Sequence, residues 1–129
     1  MFYSLELTVT HGTTEATADQ VALEVSAGVI HQADLIFPSA SSKEVYAQVF
    51  VGNYQFLPCN HGGAIRGDDM VISTREFYEM TRATNLVILQ AWNVHASDDL
   101  LLILNIGVLP KKVLQPFSFE ELLKAAAGL

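Results

Sequence analysis

Residues 86–110 read LVILQAWNVHASDDLLLILNIGVLP, two strongly apolar segments around one polar turn. A strand with one wet face alternates apolar and polar residues, because successive side chains point to opposite sides of the sheet. Leu100, Leu101, Leu102, Ile103 and Leu104 break that alternation, being apolar at every position. Such a strand asks for cover on both faces. In a chain of only 129 residues one of those covers can be a neighbouring subunit. The stretch therefore predicts a homo-oligomer, with Leu101 and Ile103 on one face of the strand and Leu102 and Leu104 on the other.

Outward from this stretch the chain keeps a period of two. Tyr3, Leu5, Leu7 and Val9 alternate with Ser4, Glu6 and Thr8, and Val21, Leu23 and Val25 alternate again. Residues 29–37 place Val29, Ala33, Leu35 and Phe37 on one face, with His31 sharing it, before Pro38-Ser39-Ala40-Ser41-Ser42 breaks the run. Val45, Ala47, Val49 and Val51 lead to Gly52-Asn53, a two-residue hairpin signal built from residues that tolerate positive φ. Residues 54–57 return, and residues 58–69, PCNHGGAIRGDD, read as a long glycine-rich loop. Two short β-prone pieces follow, at 70–73 and 77–80, then the strands of the opening stretch. About eight short strands separated by turns predict an all-β antiparallel sandwich, jelly-roll-like, over residues 1–110. Residues 111–129 differ. Ser118-Phe119-Glu120-Glu121 fits a capping box, residues 122–127 are good helix formers, and Pro110 and Pro116 detach the segment from the sheet. This predicts a C-terminal arm with a short helix, whose Phe117, Phe119, Leu122 and Leu123 need a surface to dock on.

Composition narrows the function classes. Half the residues are apolar and only 16% are charged, against about a quarter in ordinary soluble domains, which suits a surface partly buried in an assembly. The net charge of −7 argues against nucleic acid, which demands clustered Lys and Arg. No Lys or Arg precedes Lys43, while Glu6, Glu15, Asp19, Glu24 and Asp34 all fall in that region. Cys59 is the only cysteine, so no intrachain disulfide is expected. The first residues lack a basic signal-peptide region, and no apolar run approaches the roughly 20 residues that span a bilayer. Synthesis and folding in the cytoplasm, away from membranes, are the expectation.

Chemistry-bearing motifs are sparse. His11, His31, His61 and His95 form no H-x-H or H-x-x-x-H pair, as a cupin-type metal enzyme would want. Cys59 and His61, near Asp68 and Asp69, are the one local cluster of ligand types, and they sit in a glycine-rich loop that favours no metal. Gly62-Gly63 beside Arg66 offers an anion nest without a following helix. Arg66-Gly67-Asp68 spells a tripeptide known from integrin ligands, a match short enough to arise by chance. Asp98-Asp99 fits a solvated turn as well as it fits calcium. Trp92 and Tyr54, with Tyr46 and Tyr78, could stack on a sugar, although aromatic residues more often pack in a core or interface. No catalytic residue, cofactor or metal is expected.

A series of landmarks runs from residue 29 to residue 110. Phe37-Pro38 closes one strand; Val45 to Val51 alternates into Gly52-Asn53 and Gln55-Phe56-Leu57-Pro58-Cys59-Asn60. Glu76-Phe77-Tyr78-Glu79, Ala91-Trp92-Asn93 and Ile106-Gly107-Val108-Leu109-Pro110 follow. This order resembles the small β-sandwich proteins that decorate or cement the capsids of tailed bacteriophages. The resemblance implies a trimer on the capsid surface of a virion, with the major capsid protein as partner. It also implies that area buried across several subunits, rather than chemistry, does the work. The second class of function is a carbohydrate- or receptor-binding module of a virion.

Overall fold

The computed structural model describes residues 1–110. The predicted arm, with Phe117, Phe119, Leu122 and Leu123, lies outside the described residues. Alternating sequence becomes nine strands: β1 (Phe2–Val9), β2 (Asp19–Glu24), β3 (Gly28–Phe37), β4 (Val45–Val51), β5 (Tyr54–Leu57), β6 (Ile65–Arg66), β7 (Met70–Met80), β8 (Leu86–Asn93) and β9 (Leu100–Leu109). The only helical piece among the described residues is a 3-10 turn at Glu15–Thr17.

Every strand pairing is antiparallel. One sheet, here sheet A, has the order β1-β9-β3-β7, and sheet B has the order β2-β8-β4-β5, with β6 added beside β4. The chain crosses repeatedly from one sheet to the other, and these eight strands make the two Greek keys of a jelly roll. The expected sandwich is thus the observed fold.

The two sheets close on one apolar core. β9 supplies Leu102, Leu104, Ile106 and Val108, β4 supplies Val45, Ala47, Val49 and Val51, and β8 supplies Val87, Leu89 and Ala91, all buried. Burying one such Leu or Val side chain contributes about 1.5–3 kcal/mol, so the row on β9 anchors the middle of sheet A.

Several local expectations are corrected. The pieces at 70–73 and 77–80 are one continuous strand, β7, because both ends pair with β3 on either side of an irregularity at Glu76 and Phe77. The glycine-rich loop contains a short strand, β6, paired to Tyr46 and Ala47. At Gly52-Asn53 only Gly52 has positive φ, +60°, the pattern of a turn that needs glycine at its first central position. The face assigned to residues 29–37 changes phase at His31, where the pairing register shifts. Ile30 enters the core there, whereas Val29 is buried outside it. His31 leaves the core face and lies against Gly107, beside the Phe2 ring at 6.2 Å. A Cβ on Gly107 would come within 2.7 Å of the His31 ring, so any larger residue there must displace His31 and the Phe2 ring.

Candidate functional site

The outer face of sheet A carries the predicted contact residues. Because Leu102 and Leu104 point into the core, Leu101 and Ile103 point out. Register sets Ile103 beside Glu6 on one side and Ile36 on the other, and Ile36 beside Val71. Leu101 lies next along β9, so Leu101, Ile103, Ile36 and Val71 form one apolar stripe across three strands. Leu101 is 44% exposed and Val71 54%. The adjoining row is polar: Ser4, Asn105, Asp34 and Ser73 are cross-strand neighbours. Asp34 Oδ2 accepts a hydrogen bond from Gln32 Nε2 at 2.9 Å, and Arg75 donates to Gln32 Oε1 at 2.9 Å. Asp34 Oδ1 is shielded from solvent and accepts no hydrogen bond within the described residues.

On the outer face of sheet B the polar side chains close on one another, beside an apolar row of Ala22, Ile88 and Phe50 across β2, β8 and β4. Gln20, Gln90 and Gln48 are cross-strand neighbours, and each passes a hydrogen bond to the next. Gln48 Nε2 then donates to the Gly63 carbonyl at 2.9 Å. Gln55 extends the chain, donating to the Pro58 and Gly63 carbonyls and accepting from the Gly62 amide. The loop at 58–64 is thereby tied down over the sheet. Beside this row Trp92 stacks in parallel on Tyr46, with ring centroids 5.3 Å apart, and the Arg66 guanidinium lies 4.4 Å from the Tyr46 centroid. This stack leaves Trp92 only 8% exposed, so the candidate sugar platform at Trp92 has no open face.

Tyr54 is placed differently. It lies at the open side of the sandwich, where the edge strands β5 and β7 face each other around a cleft of about 310 Å³. Tyr54 and Tyr78 stack at 5.2 Å, and the buried Phe56 tilts against Tyr78 at 5.3 Å. Between Ile30/Tyr78 and Gln32/Arg75, β3 has one residue, His31, while β7 has two, Glu76 and Phe77. That bulge sets Glu76 and Phe77 at the lip of the cleft.

The remaining candidates are occupied locally or dispersed. Gly62 and Gly63 direct their amides to Gln55 and to the Asn60 carbonyl, so the suspected nest is internally satisfied. In the Arg66-Gly67-Asp68 tripeptide, Arg66 lies on Tyr46 and Asp68 accepts from Ser41 and the Ser42 amide. Cys59 is exposed, and no group of three or more His, Cys, Asp or Glu suited to a metal occurs among the described residues. Asp99 accepts from the backbone N–H of His11 at 2.9 Å and contacts the His11 ring Nδ1 at 2.6 Å. The backbone bond first, and the ring contact second, hold the Asp99 carboxyl below its usual range. Tyr3 is lowered likewise by hydrogen bonds with the Ser26 hydroxyl and amide.

Sequence reasoning did not select Ile36, Val71, Glu76 or Phe77 as site residues. Ile36 could have been found as the out-of-phase apolar residue of its strand; Glu76 and Phe77 depend on a bulge that leaves no local signature. Comparison of the chain with protein-family models, with curated proteins and with solved structures returns no match.

Proposed function

We propose that this chain is a non-enzymatic assembly protein that associates with copies of itself and clamps a larger shell, in the manner of a phage capsid decoration protein. The observation that carries this reading is the stripe on sheet A of exposed Leu101 and Val71 with half-buried Ile103 and Ile36, which no other described residue covers fully. Apolar residues contiguous across three strands, rimmed by polar ones, are what a protein contact surface requires. Asp34 Oδ1 supports the same reading, since a shielded oxygen without a donor is satisfied when a partner brings one. The trimer and the major capsid protein as partner come from the sequence resemblance alone.

Sedimentation velocity and light scattering at micromolar concentration test the self-association. The expected mass is that of a trimer, and Leu101→Asp with Val71→Asp should give a folded monomer. Shells assembled from the major capsid protein of the same genome should bind the wild type and lose the double variant. A monomeric wild type, or a double variant that keeps both mass and shell binding, defeats the proposal.

A further inference from the structure

We infer that the cleft between β5 and β7 is a binding site for a neutral saccharide. Several observations converge on it. Tyr54 and Phe77 are each 49% exposed, although both line a concave site. Tyr54 is backed on one ring face by Tyr78, so its exposure lies on the other face and the ring edge. A rigid, pre-stacked aromatic platform of this kind binds a flat apolar surface with little loss of side-chain freedom.

The polar groups of the site are unspent. No hydrogen bond within the described residues engages the Tyr54 hydroxyl, the Tyr78 hydroxyl or the Glu76 carboxylate. These groups rim the aromatic surface. A pyranose matches that arrangement, because one face of its ring presents C–H groups and its perimeter presents hydroxyls. The volume of about 310 Å³ lies at the small end of ligand sites, which run to about 1,000 Å³, so one or two sugar rings fit better than a larger ligand.

Charge selects among sugars. Among the described residues Glu76 is the one carboxylate lining the cleft, and no Lys, Arg or His lines it. The chain as a whole carries −7, so an anionic sugar would meet repulsion both locally and from a distance. The bulge at Glu76 and Phe77 aims both side chains at the cleft rather than along the strand. This site lies at the open edge of the sandwich and is independent of the stripe on sheet A.

Saturation-transfer NMR on the full chain tests it, with millimolar neutral oligosaccharides of glucose, galactose and N-acetylglucosamine, and sialyllactose as the anionic probe. At least one neutral sugar should receive transfer at its ring C–H protons. Tyr54→Ala and Phe77→Ala should each weaken that sugar at least tenfold, while Tyr54→Phe retains it within threefold. Thermal melts verify folding, and Phe77→Ala, the change of an exposed residue, stands if Tyr54→Ala loosens the strand. The inference falls if no neutral sugar binds, if sialyllactose alone binds, or if binding survives both alanine variants. A monomeric protein that binds sugar would refute the assembly reading and leave this one intact.

Discussion

The two outer faces of this sandwich are built from the same alternating strands, yet their polar groups are paired differently. On sheet B the polar outward side chains satisfy one another: Gln20, Gln90 and Gln48 form a hydrogen-bonded row, and Arg66, Tyr46 and Trp92 form a stack, beside an apolar row of Ala22, Ile88 and Phe50. On sheet A the outward side chains include an apolar stripe beside an acid with one shielded oxygen that has no partner among the described residues. A face that consumes its own polar groups gains nothing from a partner, because binding would have to break bonds already made. A face that leaves apolar area and an acceptor open gains from being covered. Both faces carry an apolar row, so it is the acceptor left open among the described residues that supports placing the proposed contact surface on sheet A.

The sharpest break of this comparison comes from neighbouring residues on β9. Leu102 is fully buried, so Leu102→Ala removes core volume and should cost about 2–5 kcal/mol. Leu101→Ala, one residue away on the outward face, should cost the isolated monomer only about 0.5 kcal/mol, as surface changes usually do. Urea denaturation of both variants in the background of Val71→Asp, designed to hold the chain monomeric, gives the two values. If Leu101→Ala costs as much as Leu102→Ala there, the stripe is already covered within one chain and the comparison fails.

The β9 contrast also shows what could be read in advance. Five consecutive apolar residues announced a strand needing cover on both sides, and alternation elsewhere was enough to give the sandwich and the inward set of most strands. Those features are local and periodic. What escaped detection depends on how strands meet. The register shift at His31 moved Ile30 into the core and freed Glu76 and Phe77 for the cleft, and no pattern within residues 29–37 or 70–80 encodes it. Trp92 and Tyr54 looked equivalent as stacking residues. Only the pairing of β4 with β8 and β6 buries the first between neighbours, while an edge position leaves the second open. The stripe itself needed the strand order, since Ile36 and Val71 lie far from Leu101 in sequence.

Sheet B offers the intermediate test. Gln48 is 2% exposed, accepts from Gln90 and donates to Gly63. Gln48→Leu leaves the half-buried Gln90 amide without its acceptor, and because solvent reaches it in part the cost should be about 1 kcal/mol, the low end for a stranded donor. The loop at 58–64 keeps its bonds to Gln55 but loses one anchor, so its amides should exchange faster. Replacing Gln90 by Leu as well should recover part of the loss, because two apolar partners leave fewer groups unsatisfied. Chemical denaturation of the single and double variants measures this. A single variant as stable as wild type would mean that the glutamine row is surface decoration rather than the closure of the face.

The smallest effect is expected at the end of the molecule where the faces are joined. His11, after β1, pairs in an isolated bridge with Asn93 of β8, and its amide donates to Asp99 just before β9. Asp99 has its folded pKa lowered below the ordinary value of 3.8, first by that amide and then by the His11 ring. A carboxylate depressed on folding contributes stability that is complete above its unfolded pKa and is lost as pH falls through the folded value. Asp99→Ala should therefore lower the thermal midpoint by a constant small amount from neutrality down to about pH 5. The difference should then shrink as the pH is taken below the ordinary carboxylate range, where wild-type Asp99 also becomes protonated. Asp99 is exposed, so solvent screening keeps the effect slight. Thermal melts of the two proteins at matched pH and salt measure the convergence, and a gap that widened with acid would show that the stabilising contact is not with the ionised carboxylate.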